Sequence, residues 1–185
     1  MLKIGSAIGD SIYGKTLTPM SEMGVVMNKV QVDEQGYRCG VGMIILNRDN
    51  HVFWARRHDH KEAWQFPQGG IHLNENVRHA LYRELLEEVG LRPEHVAVIA
   101  ESKQWLTYRL PYGKQDIEGQ KVAGQRQKWF LLRLLVEDEK INLHTTPKPE
   151  FNAWRWVEYW EPLTQIVAFK REVYQQILAE FADYL

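Results

Sequence analysis

Apolar runs separated by polar clusters predict a domain of short strands arranged around one central helix. Residues 41–46 form a branched apolar run typical of a buried strand. Residues 52–55 follow after a polar turn, so the two segments are expected to form a hairpin. Four more strands are predicted, with polar loops at 64–70 and 111–127: 96–100, 105–110, 129–136 and 154–156. Residues 163–185 have the apolar spacing of a C-terminal amphipathic helix.

The clearest helical pattern spans residues 76–89, and Gly90 is placed to end the helix. On a helical wheel, Glu84, Glu87 and Glu88 lie together at the border between the apolar face and solvent. Like charges at this spacing repel one another. A hard divalent cation such as Mg²⁺ or Mn²⁺ would relieve the repulsion, because it binds carboxylate oxygens. Periodicity alone leaves a solvated acidic face as the alternative.

The spacing around this helix favours the metal site. Gly69 is followed after five residues by Glu75, and after seven more by Arg-Glu-Leu-Leu-Glu-Glu-Val-Gly-Leu at 83–91. The segment resembles the Nudix box, G-x5-E-x7-R-E-U-x-E-E-x-G-U with U a bulky aliphatic residue, at every specified position. The resemblance implies the α/β Nudix fold, a mixed β-sheet sandwiched between α-helices (α/β/α). We assign this domain to residues 34–185.

Segments outside the box resemble the branch of this family formed by bacterial RNA pyrophosphohydrolases, also described as dinucleoside polyphosphate hydrolases. The segments that carry this likeness cover most of residues 34–182: Gly-Tyr-Arg at 36–38, Trp-Gln-Phe-Pro-Gln-Gly-Gly-Ile at 64–71, Pro-Glu-Phe at 149–151 and Phe-Lys-Arg at 169–171. The resemblance implies Mg²⁺-dependent hydrolysis of the phosphoanhydride at the 5′-triphosphate end of RNA. The product would be 5′-monophosphate RNA, which enters decay. Hydrolysis of dinucleoside polyphosphates such as diadenosine tetraphosphate or pentaphosphate is the alternative.

The resemblance also implies roles for individual residues. It makes Glu84, Glu87 and Glu88 metal ligands, with Glu84 or Glu88 able to activate water. Glu150 would bind metal or help to activate water, although a plain loop carboxylate is the alternative. The geometry of the box would be maintained by four residues with a structural role: Gly69, Glu75, Arg83 and Gly90. Basic residues expected near the substrate phosphates are Arg38, Arg57, Lys128, Lys170 and Arg171, and the aromatic residues expected to stack a base are Phe169 and, behind it, Tyr108.

Composition excludes several other classes of protein. Of the 185 residues, 44% are hydrophobic and 25% charged, as in a folded globular chain. The net charge of −1 means that a site for a polyanion needs local clusters of Lys and Arg. The single cysteine, Cys39, excludes a disulfide framework and a cysteine-rich zinc site. No apolar run approaches the ~20 residues of a membrane span, so we expect a cytoplasmic enzyme without membrane contact.

Two further hypotheses remain at this stage. Residues 1–33 carry few charges and little periodicity, which favours a flexible arm or a start codon assigned too early. A Nudix-fold binding module without catalysis would be expected to have lost box carboxylates. Because Glu84, Glu87 and Glu88 are all present, the sequence favours an enzyme.

Overall fold

A computed structural model describes residues 29–59, 63–111, 113, 115–117 and 119–185 of the chain. The strands are β1 (Tyr37–Leu46), β2 (Val52–Arg57), β3 (Trp64–Gln65), β4 (Gln68–Gly70), β5 (Val96–Glu101), β6 (Leu106–Arg109), β7 (Gln115–Ile117), β8 (Gln120–Val122), β9 (Gly124–Leu134) and β10 (Phe151–Val157). The helices are α1 (Val77–Val89), α2 (Pro162–Gln165) and α3 (Arg171–Phe181). None of the described helices has the length and apolar character needed to cross a membrane.

The central sheet is mixed, with strand order β10-β2-β1-β9-β5. β1 and β9 run parallel over ten residue pairs, from Tyr37 with Gly124 to Leu46 with Arg133. The other pairings are antiparallel, and the short strands β3, β4 and β6 pair with β2, β1 and β9 respectively. β1 lies at the centre and is covered on both faces, which explains its continuous apolar run.

Apolar side chains fill a core on each face of the sheet. On one face, α1 packs Leu81, Leu85 and Val89 against alternate residues of β1. On the other face, α3 packs Ile177 and Phe181 against the remaining apolar residues of the central strands. The three layers confirm the predicted α/β/α Nudix fold.

The predicted C-terminal amphipathic helix is present over residues 168–184, but it is not continuous over 163–185. α2 ends at Gln165, and Ile166 and Val167 both adopt extended backbone angles. A 3₁₀ turn at Ala168–Lys170 then leads into α3. The break lets Ile166 pack into the core while Phe169 stays at the surface, which one straight helix would not allow. The predicted loops at 64–70 and 111–127 also contain structure, namely β3, β4, the β7–β8 hairpin and the start of β9.

The described part of the predicted N-terminal arm is packed on the domain. Val30 is 1% exposed and pairs with His72, and Gln31 donates its N–H to the carbonyl of Ile71 at 2.7 Å. Residues 30 and 31, which the sequence analysis assigned to the arm, therefore contact the box loop and β1. Residues 1–28, the rest of the predicted arm, lie outside the described residues.

Candidate active site

Helix α1 carries three of the predicted metal ligands, and both of its ends are well defined. Asn76 caps the N-terminus by accepting the His79 N–H at 2.9 Å. Gly90 ends the helix in a left-handed conformation with φ of 75°. The buried face of α1 holds the helix against the sheet, and it places Glu84 and Glu88 8% and 5% exposed at that interface.

The β4 segment lies against these two carboxylates. The N–H of Gln68 donates to Glu88 Oε2 at 2.9 Å. A Cβ at Gly69 would overlap the carboxylate of Glu84. Only glycine therefore lets the chain pass so close to Glu84, which gives Gly69 a steric reason in this fold.

Arg83 joins the box residues to one another. Its Nε and Nη2 donate to the two carboxylate oxygens of Glu75, each at 2.8 Å, and Nη2 also donates to the Gly70 carbonyl at 2.7 Å. Its Nη1 donates to Glu84 at 2.7 Å and to Glu87 at 3.2 Å. The structure thus brings the proposed structural pair, Arg83 and Glu75, together between α1 and β4.

Burial changes the acidity of the two inner carboxyl groups. Desolvation raises the pKa of Glu84 to about 7, against the opposing effect of the Arg83 charge. Desolvation, together with the nearby charges of Glu150 and Glu84, raises the pKa of Glu88 well above its ordinary value. Both carboxyl groups are therefore destabilised in their charged form unless a positive charge lies beside them.

The donor set fits a hard divalent cation. Glu88 Oε1 is buried and has no hydrogen-bond partner within the described residues. In that part of the chain no three His, Cys, Asp or Glu side chains converge as a ready set of ligands. Arg83 pairs with Glu84 and Glu87, and Arg57 pairs with Glu150 at 2.7 Å. Clustered carboxylates with an orphaned buried oxygen are the chemistry that Mg²⁺ and Mn²⁺ bind.

Glu150 reaches this cluster through strand pairing. It immediately precedes β10, and Phe151 of β10 pairs with Arg57 of β2. Arg57 also forms a bidentate ion pair with Asp59, in which Nε donates to Oδ1 at 2.8 Å and Nη2 donates to Oδ2 at 2.7 Å. The Gln65 amide lies 3.4 Å from Glu150. Asp59 and Gln65 were not among the sequence candidates, because only the folded sheet brings them beside Glu150.

Two adjoining cavities meet at Arg57, Gln68 and Gln125. We call the first, of about 470 Å³, the carboxylate pocket; it is lined by Arg38, Arg57, Gln68, Gly69, His72, Arg83, Glu84, Glu87, Gln125 and Glu150. We call the second, of about 640 Å³, the aromatic pocket; it is lined by Arg57, Ala63, Trp64, Gln65, Gln68, Tyr108, Leu110, Gln115, Gln125, Ile166, Val167, Phe169 and Lys170.

Three predicted substrate residues meet in the aromatic pocket. Phe169 is 36% exposed, and its ring centroid lies 5.7 Å from that of Tyr108. Lys170 is buried, with Nζ 5.5 Å from the Tyr108 ring and 2.8 Å from Gln65 Oε1. Tyr108 is only 5% exposed, so it supports Phe169 from behind. Arg57 faces both pockets, and Arg38 lines the carboxylate pocket.

The structure does not bring Lys128 and Arg171 to either pocket. β9 begins at Gly124, and the alternation of its side chains turns Gln125 toward the pockets and Lys128 toward the opposite face. There the Lys128 ammonium lies 3.5 Å from Glu101. Arg171 starts α3 and is exposed to solvent, one helical step beyond Lys170. The expectation that these two residues surround the phosphates stays a prediction, which the linings of the two pockets do not support.

Comparison with known proteins agrees with this geometry. The model of the NUDIX domain matches residues 36–177, which is most of the chain. The chain belongs to the Nudix family. Members of the Nudix family generally use divalent metal ions, which is consistent with the carboxylates collected on α1.

Two relatives of high sequence identity carry the same name. The Nudix chain is 46% identical to an RNA pyrophosphohydrolase of Coxiella burnetii, over 96% of this chain and 78% of the relative. It is 51% identical to an RNA pyrophosphohydrolase of Shewanella frigidimarina, over 82% of this chain and 88% of the relative.

Solved structures share the Nudix fold at low sequence identity. A C. elegans Ap4A hydrolase binary complex has a TM-score of 0.58 at 18% identity, covering 79% of this chain and 98% of that one. The E. coli dihydroneopterin triphosphate pyrophosphohydrolase also has a TM-score of 0.58, at 19% identity, covering 78% and 98% of the two chains. At these identities the likeness concerns the fold.

Proposed function

We propose that this Nudix protein is an RNA pyrophosphohydrolase that uses Mg²⁺ to convert 5′-triphosphate RNA to 5′-monophosphate RNA. The observation that carries the proposal is the junction of the carboxylate pocket and the aromatic pocket at Arg57 and Gln68. A phosphate chain in the first pocket would continue directly into a nucleotide in the second. Relatives that are 46–51% identical and bear this name support the proposal.

The reacting groups are the carboxylates that line the carboxylate pocket, together with the buried Glu88. Glu84, Glu87, Glu88 and Glu150 would hold Mg²⁺, which neutralises phosphate charge and makes a bound water more acidic. Glu88 or Glu84 would accept the proton of an attacking water that lies within hydrogen-bond distance. Water then attacks phosphorus, and a phosphate-bearing group leaves.

The remaining residues bind the substrate. The guanidinium groups of Arg38 and Arg57 face the phosphate chain, and each can donate two hydrogen bonds to phosphate oxygens. Lys170 lines the aromatic pocket, where its side chain adds a positive charge when it is protonated. Phe169 offers an exposed ring on which an unpaired base can stack, as single-stranded RNA is commonly recognised.

Parallel initial rates with Mg²⁺ on 5′-triphosphate RNA and on diadenosine tetraphosphate test the proposal. We expect RNA to be converted faster and Glu88→Gln to lower that rate by about 10²-fold or more, since it removes a buried base and ligand. Glu172→Gln, an exposed helix carboxylate outside both pockets, is the matched control. Faster cleavage of the dinucleotide would assign the protein to the dinucleoside polyphosphate hydrolases, and unchanged activity in Glu88→Gln would refute the site.

A further inference from the structure

The side-chain amide of Gln65 connects the two pockets. Gln65 is 3% exposed. Its Oε1 accepts a hydrogen bond from Lys170 Nζ of the aromatic pocket at 2.8 Å. Its Nε2 donates to Glu150 Oε1 of the carboxylate pocket at 3.4 Å. One buried amide thus lies between a cation of one pocket and an anion of the other.

The two partners permit a single orientation of this amide. Its NH₂ group must face the carboxylate of Glu150, which only accepts, and its oxygen then faces Lys170 Nζ, which donates to it. A flipped amide would place donor against donor at one end and acceptor against acceptor at the other. Such mismatches are costly at a buried position, so the amide is held as it stands.

The backbone around Gln65 is anchored as well. Gln65 lies in β3 and pairs with Ala55 of β2. The next residue, Phe66, donates its N–H to the hydroxyl of Tyr174 on α3 at 3.1 Å. Sheet and helix therefore fix the strand that carries the amide. The amide in turn acts as a spacer of fixed length between Lys170 and Glu150.

We propose that Gln65 is a positioning residue that couples the aromatic pocket to the carboxylate pocket. The amide holds Glu150 in its orientation beside Glu88, and it keeps the Lys170 charge directed at the substrate instead of at Glu150. A nucleotide that binds Lys170 is linked through Gln65 to the group that takes part in the reaction. The inference rests on the proposed function, because it assigns both pockets to one substrate.

The kinetic test uses Gln65→Met, which preserves side-chain length and removes both polar atoms. We expect kcat to fall by at least about tenfold and KM to change by less than about threefold, because Glu150 loses its orientation. Gln165→Met is the matched control. Its amide also bonds on both sides, to Glu161 and to the Trp54 indole, yet it lines neither pocket, so kcat should stay within about twofold. Thermal unfolding of both variants confirms that they are folded.

A double-mutant cycle decides whether Gln65 acts through Glu150. In a Glu150→Gln background, Gln65→Met should lower kcat by less than about twofold further, because the group that it positions has already been altered. Losses that multiply in full would overturn the inference. So would an unchanged kcat in the single variant.

A spectroscopic test is independent of activity and of metal. In the metal-free protein, Lys170→Met and Glu150→Gln should each shift the side-chain amide resonances of Gln65. Resonances unmoved by both substitutions would contradict the bridge. Inactivity of the unaltered protein on both substrates would refute the proposed function instead, and the resonances would still decide whether the amide links the pockets.

Discussion

At the scale of single residues, the site contains close contacts and buried polar groups that are uncommon in a protein interior. Gly69 passes against the Glu84 carboxylate, and Glu88 keeps one oxygen without a partner in the described structure. Lys170 is buried with a single amide oxygen as its hydrogen-bond acceptor among the described contacts. Each of these arrangements costs stability in the protein alone and prepares a position for a bound charge.

Gly69→Ala is expected to lower kcat by about 10²-fold, because the added methyl group displaces the Glu84 carboxylate from its place. Initial rates on the preferred substrate measure the loss, and the thermal midpoint separates it from unfolding. Activity within about twofold of the unaltered protein would contradict the steric role assigned to Gly69.

Lys170→Met is expected to stabilise the protein in a pH-dependent way. Burial, reinforced by the Arg57 charge, lowers the pKa of Lys170 to about 7. Between pH 7 and the usual pKa range of lysine, Lys170 is protonated in the unfolded chain but not in the folded protein. The stability of the unaltered protein therefore rises with pH in this range. Below pH 7 the buried group is charged in the folded protein as well, and its cost to stability is largest there. The gain in free energy of unfolding should be about 3 kcal/mol larger at about pH 6.5 than at about pH 10.

Guanidinium unfolding of this variant at the two pH values measures the difference. Lys140→Met, on an exposed turn, is the control and should show equal effects at both. A gain for Lys170→Met that does not vary with pH would argue against a buried ammonium.

At the scale of elements, the ends of α1 determine where the carboxylates stand. Asn76 and Gly90 fix the first and last turns, and Arg83 ties the middle of the helix to β4 and Glu75. A shift of α1 by a fraction of a turn would remove Glu88 from the Gln68 N–H. The residues that end α1 therefore help to position the carboxylates of the site as well as to form the fold.

Gly90→Ala is expected to lower the free energy of unfolding by about 1–3 kcal/mol. The residue has φ of 75°, and a Cβ there would lie 2.6 Å from the carbonyl oxygen of Asn142. Urea unfolding measures the effect, with Ala182→Gly, at the partly buried residue that follows α3, as a comparison substitution of the same two residues. A loss below about 0.5 kcal/mol would show that the chain relaxes around the new methyl group.

Elements with a strong local sequence pattern were predicted correctly, whereas features that depend on tertiary packing were not. The box helix and β1 were predicted because their periodicity and apolar content exceed any competing signal. The break at Ile166 was missed, since each half continues the same apolar spacing and only packing against the sheet separates them. The position of Lys128 relative to the pockets could not be predicted, because the start of β9 at Gly124 lies in a polar segment and determines which side chains face the pockets.

At the scale of the whole molecule, the described N-terminal residues are part of the domain. Val30 is buried, and the chain around it bonds to Ile71 and Cys39 beside the box loop. This contact leads to contrasting predictions for two N-terminally truncated proteins. Removal of residues 1–28 should leave kcat within about twofold, because every described element is retained.

Removal of residues 1–33 should instead lower the thermal midpoint by about 4–8 °C, since it exposes the pocket that Val30 fills and frees the Ile71 carbonyl. Differential scanning calorimetry of the two shortened proteins measures the contrast. Equal midpoints would mean that residues 29–33 add nothing to the fold.

The parallel pairing of β1 with β9 also governs how the chain acquires its shape during synthesis. Tyr37 pairs with Gly124 and Leu46 with Arg133, so the centre of the sheet closes only between distant parts of the chain. A ribosome delivers β1 and the box helix well before β9. Until β9 emerges, the most apolar strand of the protein has one edge without a neighbour, and such long-range closure is slow. During this interval of translation the nascent chain therefore presents an unpaired apolar strand edge, which is the kind of segment that aggregates.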